Sequence, residues 1–205
     1  MTKEVSIGCI ILAAGSSSRM GQSKQLLPIN GEPLLIKTIK EVLSSNVDET
    51  LVVLGARQAE HQSLIKDLPI KYTINPNWQR GIGTSIKYGL QSINELRKDL
   101  DAVIISVCDQ PFLTKDHINK LINAYSRLSK PVVASSYLKT TGTPALFDKQ
   151  LYNNLTLLGD DEGAKRVIES CTDDSTTIPF ENGEFDLDTI EDYTKFLTQL
   201  TKISN

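Results

Sequence analysis

Along this chain, short runs dominated by apolar residues alternate with longer segments whose apolar positions recur at helical spacing. The runs Cys9–Leu12 (CIIL), Glu49–Gly55 (ETLVVLG), Ile70–Ile74 (IKYTI), Asp101–Val107 (DAVIISV) and Pro131–Ser135 (PVVAS) are each bounded by turn-favouring residues. Runs of this length with such boundaries predict buried strands. Between them, Leu34–Leu43 carries a helical pattern and roughly Gln58–Lys66 predicts a polar helix. Ile82–Leu96 places Ile86, Leu90 and Ile93 at i, i+4 and i+7. Thr114 is placed to cap a further helix with Asp116 in its first turn. Its face of Ile118, Leu121, Ile122, Tyr125 and Leu128 is the clearest amphipathic stripe in the chain. Apolar strands alternating with helices predict an α/β fold: a mostly parallel sheet covered on both faces.

Beyond Ser136 the rhythm changes. Thr140–Pro144 (TTGTP) predicts a turn cluster, and Ala145–Leu158 a short strand followed by a helix. Gly159–Gly163 (GDDEG) predicts the opening of a helix through Ile168, and Glu181–Gly183 a turn leading through FDLDTIEDY into a final helix. There is no internal repeat, low-complexity tract or linker, so residues 1–205 read as a single domain whose last third, from about 137 to 205, is elaborated.

Composition narrows the partners. Hydrophobic content of 40% suits a chain with a proper core, and a formal net charge of −3 disfavours a nucleic-acid partner. Cys9, Cys108 and Cys171 lack metal-ligand spacing and read as small apolar residues in a reducing compartment. His61 and His117 fall on separate predicted helices and are expected at the surface. No stretch has the pattern of a signal peptide, and the strand starting near Val5 is too short to span a bilayer. A cytoplasmic protein with no membrane partner is expected.

The informative stretch is Cys9–Pro28, CIILAAGSSSRMGQSKQLLP, in which a buried strand falls into a loop of small residues followed by Arg19 and Lys24. Such a loop lets backbone N–H groups approach an anion closely. It is not a Walker A loop, because Gly15 and Gly21 have five residues between them and Gln22 stands where Lys is required. It also lacks the GxGxxG of a dinucleotide site. In open α/β sheets ligands sit beyond the carboxyl ends of the strands. Two other unusual segments lie at such ends, Asn75–Ser85 and Asp109.

LAAGSSSRMGQSKQLLP resembles the signature of the MobA-like nucleotidyltransferases, loosely LAAGxSxRMGxxKxLLP. NPNWQRGIGTSIKYGL, CDQP, GTPALF, GDDEGAKRVI and DLDTIEDY resemble successive blocks of one branch, the molybdenum cofactor cytidylyltransferases, and the likeness covers nearly the whole chain. The resemblance implies a Rossmann-like three-layer α/β/α fold and transfer of CMP from CTP to molybdopterin or its molybdenum-loaded form, with Mg²⁺ and release of pyrophosphate. It implies that Leu12, Ala13, Ala14 and Gly15 hold the nucleotide, that Arg19 and Lys24 neutralise the triphosphate, and that Asp109 and Asp188 bind the metal. Gly81 and Ser85 would line the nucleobase pocket. Gly142, Pro144, Gly159 and Asp160 would lie on the acceptor side, and a molybdenum hydroxylase would receive the product. Asp186 reads equally as a group supporting the metal ligands from behind or a turn former, and Asp161 and Glu162 as ordinary helix-start acids.

The physics of these residue types agrees. Cations belong where charge builds on a leaving pyrophosphate. A carboxylate at a strand's carboxyl end suits Mg²⁺, which prefers one or two carboxylates with phosphate oxygens and water. Three readings compete. GTP in place of CTP would make the enzyme a guanylyltransferase on the same acceptor. A sugar-phosphate or methylerythritol-phosphate nucleotidyltransferase shares the opening loop, although those families tend to have Pro where this chain has Ser23. A non-catalytic carrier of the finished dinucleotide cofactor would gain little from two carboxylates beside phosphates.

Overall fold

Alternate side chains of the first strand, β1 (Ile7–Ala13), enter opposite faces of one sheet: Ile7, Cys9, Ile11 and Ala13 on one side, Ile10 and Leu12 on the other. Every residue of β1 is buried, so the strand reads as a continuous apolar run rather than an alternation. The computed structural model describes residues 5–203. After β1, single-turn 3-10 segments at Ser18–Met20 and Lys24–Leu26 lead to a small hairpin of β2 (Pro28–Ile29) and β3 (Glu32–Pro33). There follow α1 (Leu34–Leu43), β4 (Glu49–Leu54), α2 (Gln58–Ile65), β5 (Lys71–Ile74), α3 (Ile82–Leu96), β6 (Ala102–Val107) and α4 (Lys115–Leu128). The chain continues with β7 (Val132–Tyr137), β8 (Thr140–Asp148), α5 (Tyr152–Thr156), α6 (Lys165–Ser170), β9 (Ser175–Pro179) and α7 (Ile190–Ile203).

The seven-stranded sheet has the order β5-β4-β1-β6-β8-β7-β9, and only β8 runs antiparallel to its neighbours. One face packs on α1, α4 and α7 through Leu35, Ile39, Ile118, Leu121 and Phe196. The other packs on α3, α5 and α6 through Ile86, Leu90, Ile93, Leu155 and Val167. This is the three-layer α/β/α arrangement. Each buried aliphatic side chain contributes about 1.5–3 kcal/mol, so a single Ile10→Asp change would set an unpaired charge against that packing. Leu12 pairs with both Val53 and Val107, which leaves the carboxyl ends of β1, β4 and β6 flush. The chain moves outward from β1 to β5 and returns to β6 on the other side, so the switch point lies between β1 and β6.

Three expectations are corrected. Thr140–Pro144 is not a turn cluster but the first half of β8, and the turn sits one step earlier, at Leu138. The β7–β8 register slips between Ala134 and Ser135, so Thr143 and Pro144 fall in an irregularity where Pro needs no ladder partner. The helix expected from Gly159 starts only at Lys165. The preceding loop is held instead by Gly83 N donating to Asp160 O (2.8 Å) and Gly159 N donating to Glu162 Oε2 (2.7 Å). His61 and His117 are core residues, not surface ones, at 0% and 5% exposure. Each is accommodated by a buried serine hydroxyl, Ser23 at 2.8 Å and Ser135 at 2.7 Å, and His117 also stacks on Phe180. Strand β9 was not foreseen; it joins β7 as a parallel edge strand. Cys9 and Cys108 are buried with thiols pushed up to about 12 by that burial. Among the described residues no helix is long and apolar enough to cross a membrane.

Candidate active site

Three segments meet at the switch point. The loop after β1 turns through Ser17, in the left-handed region at φ 54°, and through Gly21 at φ 68°. Lys24 N donates to Ser17 Oγ (3.0 Å), which aims the Lys24 side chain back across the end of β1. Its ammonium donates to Asp109 Oδ2 (2.6 Å), just beyond β6, and to Asp188 Oδ1 (2.9 Å), from the segment before α7. Leu187 N donates to Asp109 O (3.0 Å) and fastens that segment to the end of β6. Arg19 Nη2 donates to Asp188 Oδ2 (2.7 Å). Arg19, Lys24, Asp109 and Asp188 therefore form one cluster.

Its charges are coupled. Burial acts to lower the Lys24 pKa, but the carboxylates of Asp109 and Asp188 outweigh it and hold the ammonium above its ordinary value. Burial acts to raise the Asp188 pKa, and Lys24 and Arg19 overcome it, holding the carboxyl below the usual range. Among the described residues no cation forms an ion pair with Asp186, and Lys24 only partly offsets its surroundings. Lost hydration, then the charges of Asp109 and Asp188, push its carboxyl up to about 7. A bond from Asp188 N to Asp186 O turns the chain between the two.

A cleft of about 230 Å³ opens beside this cluster, floored by Leu12, Ala14 and Gly15. Lys24 and Asp109 form one wall, and Gly81, Ser85 and Trp78 the other. Ala13 presents its carbonyl rather than its side chain to this region, because its Cβ belongs to the opposite core. Gly81 is at φ 128°, a conformation only glycine adopts freely, and a Cβ there would run into Asp160 and Asp161. Ser85 Oγ accepts from Asn75 Nδ2 (3.0 Å), which leaves the hydroxyl proton of Ser85 free to donate.

A second cleft of about 240 Å³ adjoins the first and shares Leu12, Ile82 and Val107 with it. Gly142 and Thr143 line it, with Tyr137 and Lys165. Pro144 is buried behind this wall, where its carbonyl accepts from Ser135 Oγ (2.6 Å). Gly159 and Asp160 lie outside the cleft, against the start of α3, with Asp160 paired to Arg80 (2.6 Å) and Lys87 (3.5 Å). Sequence reasoning passed over Lys165, which reaches Thr140 Oγ1 at 3.0 Å, because a lysine opening a helix looks like any solvated lysine. It also passed over Gln25, whose signal was a glutamine beside the loop lysine. A larger depression of about 850 Å³ near β7 and β9 contains none of the residues singled out from the sequence as site candidates.

Two carboxylates converging on one ammonium, with Asp109 Oδ1 buried and without a partner among the described residues, form a donor set that fits a hard divalent cation. Among the described residues no group of three or more His, Cys, Asp or Glu side chains is arranged around a metal position. Two protein carboxylates suit a cation that takes its remaining ligands from phosphate and water.

Among the described residues no nucleophile–base pair accompanies the cluster. Cations set against carboxylates at a switch-point loop can stabilise a departing phosphate anion, as transfer of a nucleotide requires. The chain belongs to the MobA-like NTP transferase family, whose domain profile matches residues 9–176. It is 31% identical to the purine catabolism protein PucB of Bacillus subtilis over 90% of this chain and 92% of that one. It is 26% identical to the molybdenum cofactor cytidylyltransferase of Escherichia coli over 96% of this chain and 98% of that one. The crystal structure of Rv0371c from Mycobacterium tuberculosis has the same fold, with a TM-score of 0.83 at 20% identity over 96% of this chain and 99% of that one.

Proposed function

We propose that this nucleotidyltransferase moves CMP from CTP to a molybdopterin-type acceptor, with or without molybdenum, and releases pyrophosphate. The observation that carries the reading is the cluster of Lys24, Asp109 and Asp188 beside the first of two adjoining clefts. Similarity along the full length of a named cytidylyltransferase supports the choice of CMP and of acceptor.

In this reading the first cleft takes the nucleotide, with the loop from Leu12 to Gly15 beneath it and Gly81 and Ser85 beside the base. The second cleft takes the acceptor, with Gly142 at its wall and Lys165 for an anionic group. Pro144, Gly159 and Asp160 contribute by shaping the walls. An oxygen of the acceptor phosphate attacks the α-phosphorus; the bond from that phosphorus to the bridging oxygen breaks, and pyrophosphate leaves with the electron pair. Arg19 and Lys24 exchange their carboxylate partners for triphosphate oxygens and neutralise the growing charge. The acceptor phosphate is already an anion, so no general base is required and positioning carries the rate. Mg²⁺ held by Asp109 and Asp188 would supply further charge neutralisation at the α-phosphate. The product would pass to a molybdenum hydroxylase.

Thermal denaturation with CTP, GTP, ATP and UTP, each with and without Mg²⁺, tests the reading. A nucleotide at 100 times its dissociation constant stabilises by about 2.7 kcal/mol. A Mg²⁺-dependent rise with CTP alone is expected. A rise with GTP alone would move the assignment to guanylyl transfer, and no rise with any of the four would overturn nucleotide binding by the free enzyme.

A further inference from the structure

His61, on α2, lines neither cleft, yet it ends a line of buried polar groups that leads to the nucleotide loop. Gln25 Nε2 donates to the carbonyls of Ala13 (3.2 Å) and Gly15 (3.1 Å). Gln25 Oε1 accepts from Ser23 Oγ (2.7 Å) and Ser17 Oγ (3.3 Å). All four hydrogen-bonding positions of this carboxamide are used, and its orientation is forced, because two carbonyls can be met only by the NH₂ end. Ser23 gives its one proton to Gln25, so towards His61 Nε2, 2.8 Å away, it can only accept. The hydrogen of the ring must then sit on Nε2.

Nδ1 of His61 is buried with no partner among the described residues. A second proton there would be a buried, charged and unpaired donor. Burial accordingly holds the ring below its ordinary pKa. Residues 23, 25 and 61 are all nearly inaccessible, at 3%, 1% and 0%. An apolar side chain at position 61 would fill such a place without an orphaned nitrogen, so the histidine needs a reason beyond packing.

We propose that His61 is a positioning residue for nucleotide binding: in its neutral Nε2–H form it fixes Ser23, which fixes Gln25, which ties down the loop carbonyls of Ala13 and Gly15. An untied carbonyl is free to turn its negative end toward a triphosphate. The inference rests on the reading that this loop binds a nucleoside triphosphate.

Calorimetric dissociation constants for CTP and GTP with Mg²⁺, with a melting temperature for each protein, test it in His61→Leu, His61→Gln, Ser23→Ala and the His61→Leu/Ser23→Ala double variant. Loss of one buried hydrogen bond is worth about tenfold, so His61→Leu and Ser23→Ala should each weaken nucleotide binding by about that factor. The double variant should be no weaker than either single one, because the two residues act in series. His61→Gln places an N–H near the Nε2 position and should stay within about threefold of the parent. Unchanged binding in His61→Leu, equal losses in His61→Leu and His61→Gln, or losses that multiply in the double variant would each overturn the relay. Nitrogen NMR of the parent protein adds a readout needing neither ligand nor a folded variant: Nε2 protonated and Nδ1 bare is expected, and the reverse overturns the proposal. If the parent itself binds neither nucleotide, the nucleotide reading fails and this role with it, an outcome set apart from failure of the relay alone by the behaviour of the parent.

Discussion

Lys24 and Asp109 lie 85 positions apart in the chain and meet at 2.6 Å, with only 15% and 21% of their side chains exposed. The same ammonium serves Asp188, so two carboxylates share one cation. Replacing Lys24 by Met leaves Asp109 uncompensated and Asp188 with Arg19 alone. Breaking a fully buried pair costs about 3–5 kcal/mol, and partial solvent contact here brings the expected loss down to about 2 kcal/mol. Turnover should fall at least about 100-fold, as when a charge-stabilising donor is removed. Urea denaturation and initial rates check both figures. Near-normal turnover would remove Lys24 from the transfer step.

Asp109→Asn keeps the shape of the side chain and removes its charge. Turnover should drop by about 100-fold or more while the melting temperature stays within about 3 °C. Nucleotide-induced stabilisation should also lose its dependence on Mg²⁺. Full activity in this variant would sink the metal assignment for Asp109.

Two glycines separate fold from ligand. A Cβ on Gly83 would meet the backbone carbonyls of Gly159, Asp160 and Glu162, and backbone cannot swing aside as a side chain can. Gly83→Ala should cost about 1–3 kcal/mol, a fall of several degrees in melting temperature. A Cβ on Gly15 would meet nothing within 4 Å. Gly15→Ala should leave the melting temperature unchanged and weaken nucleotide binding, because the added methyl stands where the ligand approaches. Equal effects of the two changes on stability would contradict this division.

The second cleft makes a parallel distinction. Lys165→Met should raise the KM for the acceptor by about tenfold, the worth of one charge-assisted hydrogen bond. Asp160→Asn disturbs a half-exposed pairing with Arg80 and Lys87. It should cost less than about 1 kcal/mol and leave that KM alone. The reverse pattern would put the acceptor on the Asp160 side.

Burial, aided by the charge of Lys120, holds His117 at about 4 against an ordinary 6.5. Between these values the unfolded chain binds a proton that the folded chain refuses, so the contribution of His117 is complete above pH 6.5 and is lost as pH falls toward 4. At pH 5 the loss amounts to about 2 kcal/mol. His117→Gln keeps a donor for Ser135 and does not titrate. Urea midpoints at pH 7 and pH 5 should therefore show the parent losing stability relative to this variant, and parallel behaviour would show that His117 is protonated in the fold.

Much of this was legible because local and tertiary demands agree. The bounds of α1 and α3 follow from apolar spacing alone, and β1 is readable because every residue in it must be buried. The convergence of Lys24 with Asp109 and Asp188 came from a resemblance between sequence blocks, since nothing local marks residues so far apart as neighbours. What sequence misjudged were places where a partner elsewhere decides. Thr140–Pro144 has the residues of a turn, but pairing with Ser135–Tyr137 makes it a strand. His61 sits on a polar helix whose other buried position is Ile65, one turn later, so no apolar stripe announced that the histidine faced inward. The loop Gly159–Gly163 has the acids of a helix start, but its Asp160 carbonyl is taken by Gly83 N of α3.

Asp188 follows Lys24 by 164 positions and is carried into place by the bond from Leu187 to Asp109. During synthesis the loop and the strand leading to Asp109 leave the ribosome long before that fastening segment exists. A chain that stops short of Leu187 offers its lysine one of these carboxylates instead of two. On the proposed reading, competence for transfer arrives only once Leu187 and Asp188 have joined the fold.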